Sequence, residues 1–91
     1  MADLPAATVI CFELSLIDNA ILIEIKAGEL PILEPDKAIK YAGLAASRIA
    51  DFVLANDYGI PDYLKAAELF EDGNRRLARA IRFVVNSLRV P

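Results

Sequence analysis

The sequence predicts an all-α protein: a small up-down-up three-helix bundle, made of an N-terminal helix and a long helical hairpin, that assembles as an oligomer. Three observations carry that reading. Apolar residues recur at steps of three and four through most of the chain. Proline and glycine gather at a few short connections, where turns belong. Finally, 56% of the 91 residues are apolar and mean hydropathy is +0.39. A chain of this length hides only about 60–65% of its unfolded surface on folding, so the surplus implies cover from another subunit. Residues 1–91 read as a single helical domain, with no repeat, low-complexity stretch or flexible linker.

The first helix has a start and a stop. Asp3 offers a cap, Pro5 fits the first turn, and Lys26 and Gly28 stand where a last turn and its left-handed cap belong. Between them Ile10, Phe12, Leu14 and Leu16 alternate as in a strand, and "IDNA" offers a hairpin turn into Ile21, Ile23 and Ile25. On a helical wheel, Thr8, Cys11, Ser15, Asp18, Asn19 and Lys26 gather on one side, with Leu22 among them. Ile10, Leu14, Ile17, Ile21 and Ile25 follow helical spacing on another. Helix and hairpin both stay open over residues 8–26. The wheel favours a helix, apolar over most of its circumference and needing neighbours on several sides.

Ile32 and Leu33, in the connection "ELPILEP", are apolar enough to pack under the bundle. Pro35 opens the second helix, expected to run to about Asp57. Its inner face reads as Ala38, Ala42, Ala45, Ile49 and Phe52, with Gly43, Ala46 and Ala50 nearby. Small side chains let helix axes approach closely, which makes this helix central. In "NDYGIPDYL", Gly59 suits a left-handed position, Ile60 can fold back onto the preceding turn, and Pro61 opens the next helix with Asp62 near its positive end. So short a connection predicts that the second and third helices are antiparallel neighbours.

Beyond Pro61, Tyr63, Ala67, Phe70, Asn74, Leu77, Ile81, Val84 and Leu88 keep their phase straight through "EDGN". That favours one continuous helix of about 28 residues, roughly 42 Å long, despite a mid-helix glycine costing about 1 kcal/mol. A turn at Gly73–Asn74 is the alternative. In a continuous helix Asn74 sits on the apolar seam, where a coiled coil uses one polar residue to fix oligomer register. With a turn, Asn74 caps a separate final helix. The expected core or subunit interface is Ile10, Leu14, Ile17, Ile21, Ile49, Phe52, Phe70, Leu77, Ile81, Val84 and Leu88.

The chain has no histidine and a single cysteine, Cys11, which reads as a small buried residue. It shows no glycine-rich phosphate loop and no zinc spacing. No catalytic, metal or cofactor residue is expected, although chemistry from carboxylates or arginines alone stays formally open. The longest uncharged run, Leu4 to Phe12, has nine residues, short of the roughly 18 a membrane span needs. The opening "MAD" lacks a basic signal region. A soluble, cytoplasmic protein without a membrane partner is the expectation.

Charge is unevenly placed. Residues 1–72 hold five basic and thirteen acidic side chains, and residues 73–91 hold five arginines and no acid, within a net charge of −3. Arg75, Arg79, Arg82 and Arg89 form a stripe opposite the seam, with Arg76 flanking it, and these five are the candidate partner-binding residues. The planar arginine fork suits two-point binding of carboxylate or phosphate. The stripe can pair with the acidic helices of the same or another subunit, dock an acidic protein, or follow a nucleic-acid backbone. An isoelectric point near 4.8 weighs against nucleic acid. The sequence therefore points to a non-enzymatic protein–protein interaction module (an adaptor, regulator or inhibitor) acting as a homodimer or higher oligomer. Nucleic-acid binding through the same stripe is the alternative.

Overall fold

The computed structural model describes residues 4–27 and 33–89, and all regular structure in them is helical. Four helices follow one another: α1 (Ala6–Glu24), α2 (Pro35–Ala55), α3 (Ile60–Phe70) and α4 (Arg75–Arg89). No strand occurs among the described residues, so the hairpin reading of residues 8–26 gives way to the helix. The Pro5 carbonyl starts α1 by accepting the N–H groups of Thr8 at 3.0 Å and Val9 at 3.2 Å. Asp3, Gly28 and Ile32 lie outside the described residues. The left-handed end of α1 falls on Lys26, at φ 56°. Its N–H bonds the Ile23 carbonyl at 3.1 Å and the Ala27 N–H bonds Leu22 at 2.9 Å, the paired bonds of a Schellman end. Lys37 Nζ donates to the Lys26 carbonyl at 2.7 Å, tying this end to the first turn of α2.

Pro35 opens α2 as expected, with Asp36 in the first turn. The helix stops at Ala55, ahead of Asp57, because Asn56 turns extended and donates both its N–H (3.1 Å) and its side-chain amide (2.8 Å) to the Phe52 carbonyl. The inner face of α2 is Tyr41, Ala45 and Ile49. Ala42 and Gly43, expected inside, are exposed. Gly59 is not left-handed: at φ −74° and ψ 152° it heads α3 as the residue before the first turn, and its carbonyl accepts the Asp62 N–H at 3.0 Å.

The expected continuous helix from Pro61 to Leu88 is in fact two, so the three-helix bundle becomes a four-helix one. The break spans Glu71–Asn74. The apolar phase survives because the turn keeps a helix-like bond, from Asn74 N–H to the Phe70 carbonyl at 2.8 Å, while Glu71 N–H tightens onto Glu68 at 3.1 Å. Spacing alone does not register such a turn. Asn74 also caps α4: its Oδ1 accepts the Leu77 N–H at 3.3 Å.

The break lets α4 fold against α3 and reach α2. α1 packs on α2 and α3, and α4 packs on the same two helices. The expected antiparallel pairing of α2 with α3 is replaced by an aromatic joint at their ends. Tyr63 meets the rings of Phe52 and Tyr58 edge-on, at 6.3 and 6.1 Å, a favoured aromatic arrangement. Ile10, Leu14, Ile21, Ile49, Leu77, Ile81 and Val84 are buried as expected, and Tyr63, Ala66, Ala67, Ala78 and Val85 join them. Ile17, Phe52 and Phe70 are half-buried, and Leu88 is exposed, near the end of α4 where little packs over it. α1 is long and apolar enough to cross a membrane by length and composition, yet it buries a carboxylate, Asp18.

Candidate functional site

The arginine stripe divides once its neighbours are placed. Arg76 turns inward. Its Nε and one terminal nitrogen reach the two oxygens of Asp18 at 3.3 and 3.2 Å, and its guanidinium lies 5.6 Å from the centre of the Tyr41 ring. Tyr41 OH donates to Asp18 Oδ1 at 2.5 Å, and Asn74 Nδ2 donates to Oδ2 at 3.0 Å. One buried carboxylate from α1 thus gathers donors from α2 and from the start of α4. A buried charge demands such partners, since leaving it bare in the interior costs several kcal/mol. Burial, together with the hydrogen bond and charge of Asp18, pushes the Tyr41 phenol well above its ordinary range, and Arg76 opposes this. The phenol is therefore a fixed donor at neutral pH. With its oxygens occupied by four donors, Asp18 serves as a structural lock joining α1, α2 and α4.

Arg82 pairs with Glu71 across the α3–α4 joint. The hydrogen bond and charge of Arg82, with help from Arg75 and Arg79, hold the Glu71 carboxyl below its usual range. Arg75 and Arg79 are exposed and form no ion pair among the described residues. Arg89 closes α4, and its side chain lies outside the described residues.

Beside the outward pair runs a groove of about 780 Å³ between α2 and α4. Its floor is Ala38, Ala42, Gly43 and Ala46 from α2 and Ala80 from α4; Leu33, Tyr41, Arg76 and Phe83 form the walls, and the exposed Arg75 and Arg79 the rim. Phe83 is 63% exposed and extends the apolar surface past the groove. The small residues that the sequence assigned to helix–helix contact therefore leave a concavity, because α4 packs on only part of the α2 surface they occupy. A second hollow, about 660 Å³, lies where the end of α1 meets α2, and Gly43 borders both.

Of the six residues singled out from sequence, Arg75, Arg76 and Arg79 line one groove. Arg82 stands at the joint, and Asn74 is occupied as a cap and as a partner of Asp18. Sequence reasoning missed Asp18, Tyr41 and the groove. Asp18 stands four residues after Leu14 and three before Ile21, in phase with the apolar face where Glu13 and Glu24 are not, and that was the available signal for the first. Burial raises the thiol pKa of Cys11, which makes it a poor nucleophile. No cluster of metal-binding side chains occurs among the described residues. No protein family, curated protein or solved structure matches this chain.

Proposed function

We propose that this chain is a non-enzymatic helical interaction module that docks an acidic protein partner on the α2–α4 face and itself assembles as a homodimer or higher oligomer. The observation that carries the docking reading is the pairing of two outward arginines with an apolar groove. Carboxylates of the chain hold Arg76 and Arg82, whereas Arg75 and Arg79 border the groove without such a partner among the described residues. Charge at a polar rim around an apolar floor is the usual anatomy of a protein interface. A phosphate backbone asks for a continuous basic ladder and gains nothing from an alanine floor, so the groove favours protein over nucleic acid.

The oligomer reading is supported on a different helix. α1 exposes Phe12, Leu16 and Ile23 (62, 64 and 78%) along one stripe while its other face is buried. A helix apolar on both sides calls for cover on both. We assign no membrane role to it: withdrawing α1 into a bilayer would strip Arg76 of Asp18 and carry a carboxylate into hydrocarbon. A soluble, cytoplasmic setting fits this reading.

A photo-crosslinking residue at Phe83, introduced in the cells that make the protein, tests the docking face. The expected adduct is a protein, and it disappears when Arg75 and Arg79 are both changed to glutamate with helix content unchanged. A nucleic-acid adduct, or a protein adduct that survives the charge reversal, would overturn the reading. Sedimentation equilibrium tests assembly separately, with an expected mass of at least twice the 9.9 kDa of the chain.

A further inference from the structure

We infer that the α2–α4 groove receives an amphipathic helix of the partner protein, one that carries acidic residues a turn apart beside its apolar face. This rests on the docking reading above and names the class of partner. Arg75 and Arg79 stand four residues apart on α4, which places their Cβ atoms about 5–6 Å from each other. Two acids a turn apart on a helix laid alongside α4 have the same spacing. The arginine forks then each meet a carboxylate without distorting either helix.

The floor selects for a helix as well. Ala38, Ala42, Gly43 and Ala46 carry nothing larger than a methyl group, so another helix axis can approach α2 closely. From Ala38 to Ala46, and from Arg75 to Phe83, the lining runs about 12 Å along each helix at 1.5 Å per residue. That length holds an anchor set at i, i+4 and i+7, the usual reach of a helix seated in a groove. A second copy of this chain is the poorer occupant here. Two-fold pairing brings the same patch together from both subunits, and would set each arginine rim against its own copy.

Ala42 supplies the decisive variant. It is exposed and lines this groove midway between Ala38 and Ala46 at steps of four, and leucine is a good helix former. Ala42→Leu therefore leaves the core untouched and occupies the floor. Two fluorescent designed peptides of about five turns serve as probes, both with leucines at i, i+4 and i+7. One carries flanking glutamates four residues apart, the other lysines in their place. Anisotropy titrations against the full chain are expected to show the glutamate peptide binding about tenfold or more tightly than the lysine peptide. Ala42→Leu is expected to remove that binding with helix content unchanged, and Arg75→Glu with Arg79→Glu to reverse the preference.

Equal binding of the two peptides, no binding of either, or an Ala42→Leu variant that binds like the parent would overturn the inference. Displacement of the glutamate peptide by dodecanoate, with dodecanoate binding more tightly, would assign the groove to a free anionic amphiphile instead. If the peptides fail while charge reversal still abolishes the crosslinked protein adduct, the docking face stands and the helix assignment falls. If the adduct also persists through charge reversal, the docking reading falls with it.

Discussion

On α1, Ile10, Leu14 and Ile21 are fully buried, and on α4 Leu77, Ile81 and Val85 are just as well covered. The two helices part company on their other faces. α1 places one of its three carboxylates, Asp18, inside and leaves Phe12, Leu16 and Ile23 in solvent. α4 keeps Arg75 and Arg79 outside and sends one arginine, Arg76, inward to meet that carboxylate. The exchange of a charge between them holds the start of α4 against α1 and α2. The remaining surfaces are left unlike, with an oily stripe on one side of the molecule and an arginine rim on another. Two dissimilar surfaces on one small domain are what the proposed self-assembly and partner docking would each require.

The strongest way to break this contrast is Asp18→Leu. It leaves the Arg76 guanidinium, largely buried, without its counter-charge, and Asn74 and Tyr41 without an acceptor. Removing one member of a buried pair costs about 3–5 kcal/mol, read as a lower midpoint in denaturant unfolding. Adding Arg76→Leu is expected to restore much of that loss, since no unpaired charge then remains. A single variant as stable as the parent would mean that the inward exchange holds nothing together.

The assembly half is sharpened by Leu16→Glu with Ile23→Glu. Both side chains are mostly exposed, so the fold survives, while a carboxylate at each position opposes burial against another subunit. The expected result is a solution mass of one chain, 9.9 kDa, with an unchanged helical spectrum. A parent that already sediments as one chain would remove the oligomer reading at once.

How far the sequence foretold this arrangement depends on which signal each element leaves. The helices were legible because burial imposes a period of three and four, and seven of the eleven anticipated core residues are buried. The α3–α4 break was legible only as the alternative that glycine and asparagine at 73–74 offered, because Asn74 keeps the bond to Phe70 that a continuous helix would have made. The arginine stripe was visible as a charge asymmetry. Its division into inward and outward members was hidden, because Arg75 and Arg76 are neighbours in sequence and differ only in which side of α4 faces Asp18. The groove left no trace in sequence either: Ala42 and Gly43 read the same whether a helix covers them or a partner is to do so.

Tyr41→Phe is a smaller change, and its effect depends on pH. At neutral pH it removes one hydrogen bond to a buried carboxylate, at a cost of about 1.5–3 kcal/mol. The folded phenol keeps its proton to higher pH than an unfolded one, whose pKa is about 10. As pH climbs past that value the unfolded chain sheds its proton first, and stability falls toward the folded value. The variant loses this part of the alkaline decline, while Tyr63, also raised by burial, retains its own. Unfolding curves between neutral and strongly alkaline pH check it: parallel declines for parent and variant would show that the folded chain does not hold the Tyr41 proton through burial and Asp18.

The smallest expected effect concerns what sets the start of α4. Glycine at position 73 invites the view that it makes the turn, but no described glycine has a positive φ, and a Cβ at Gly73 meets nothing within 4 Å. Alanine is therefore compatible there, and Gly73→Ala is expected to raise stability by about 0.4–1 kcal/mol by narrowing the unfolded ensemble. Asn74→Ala, one residue on, is expected to lower it by about 1 kcal/mol, because the Leu77 N–H loses its cap and Asp18 loses a donor. Opposite signs at adjacent positions would locate the break in the polar tie between α1 and α4. A Gly73→Ala chain that fused α3 with α4, seen as a longer protected stretch in amide exchange, would place it in the glycine.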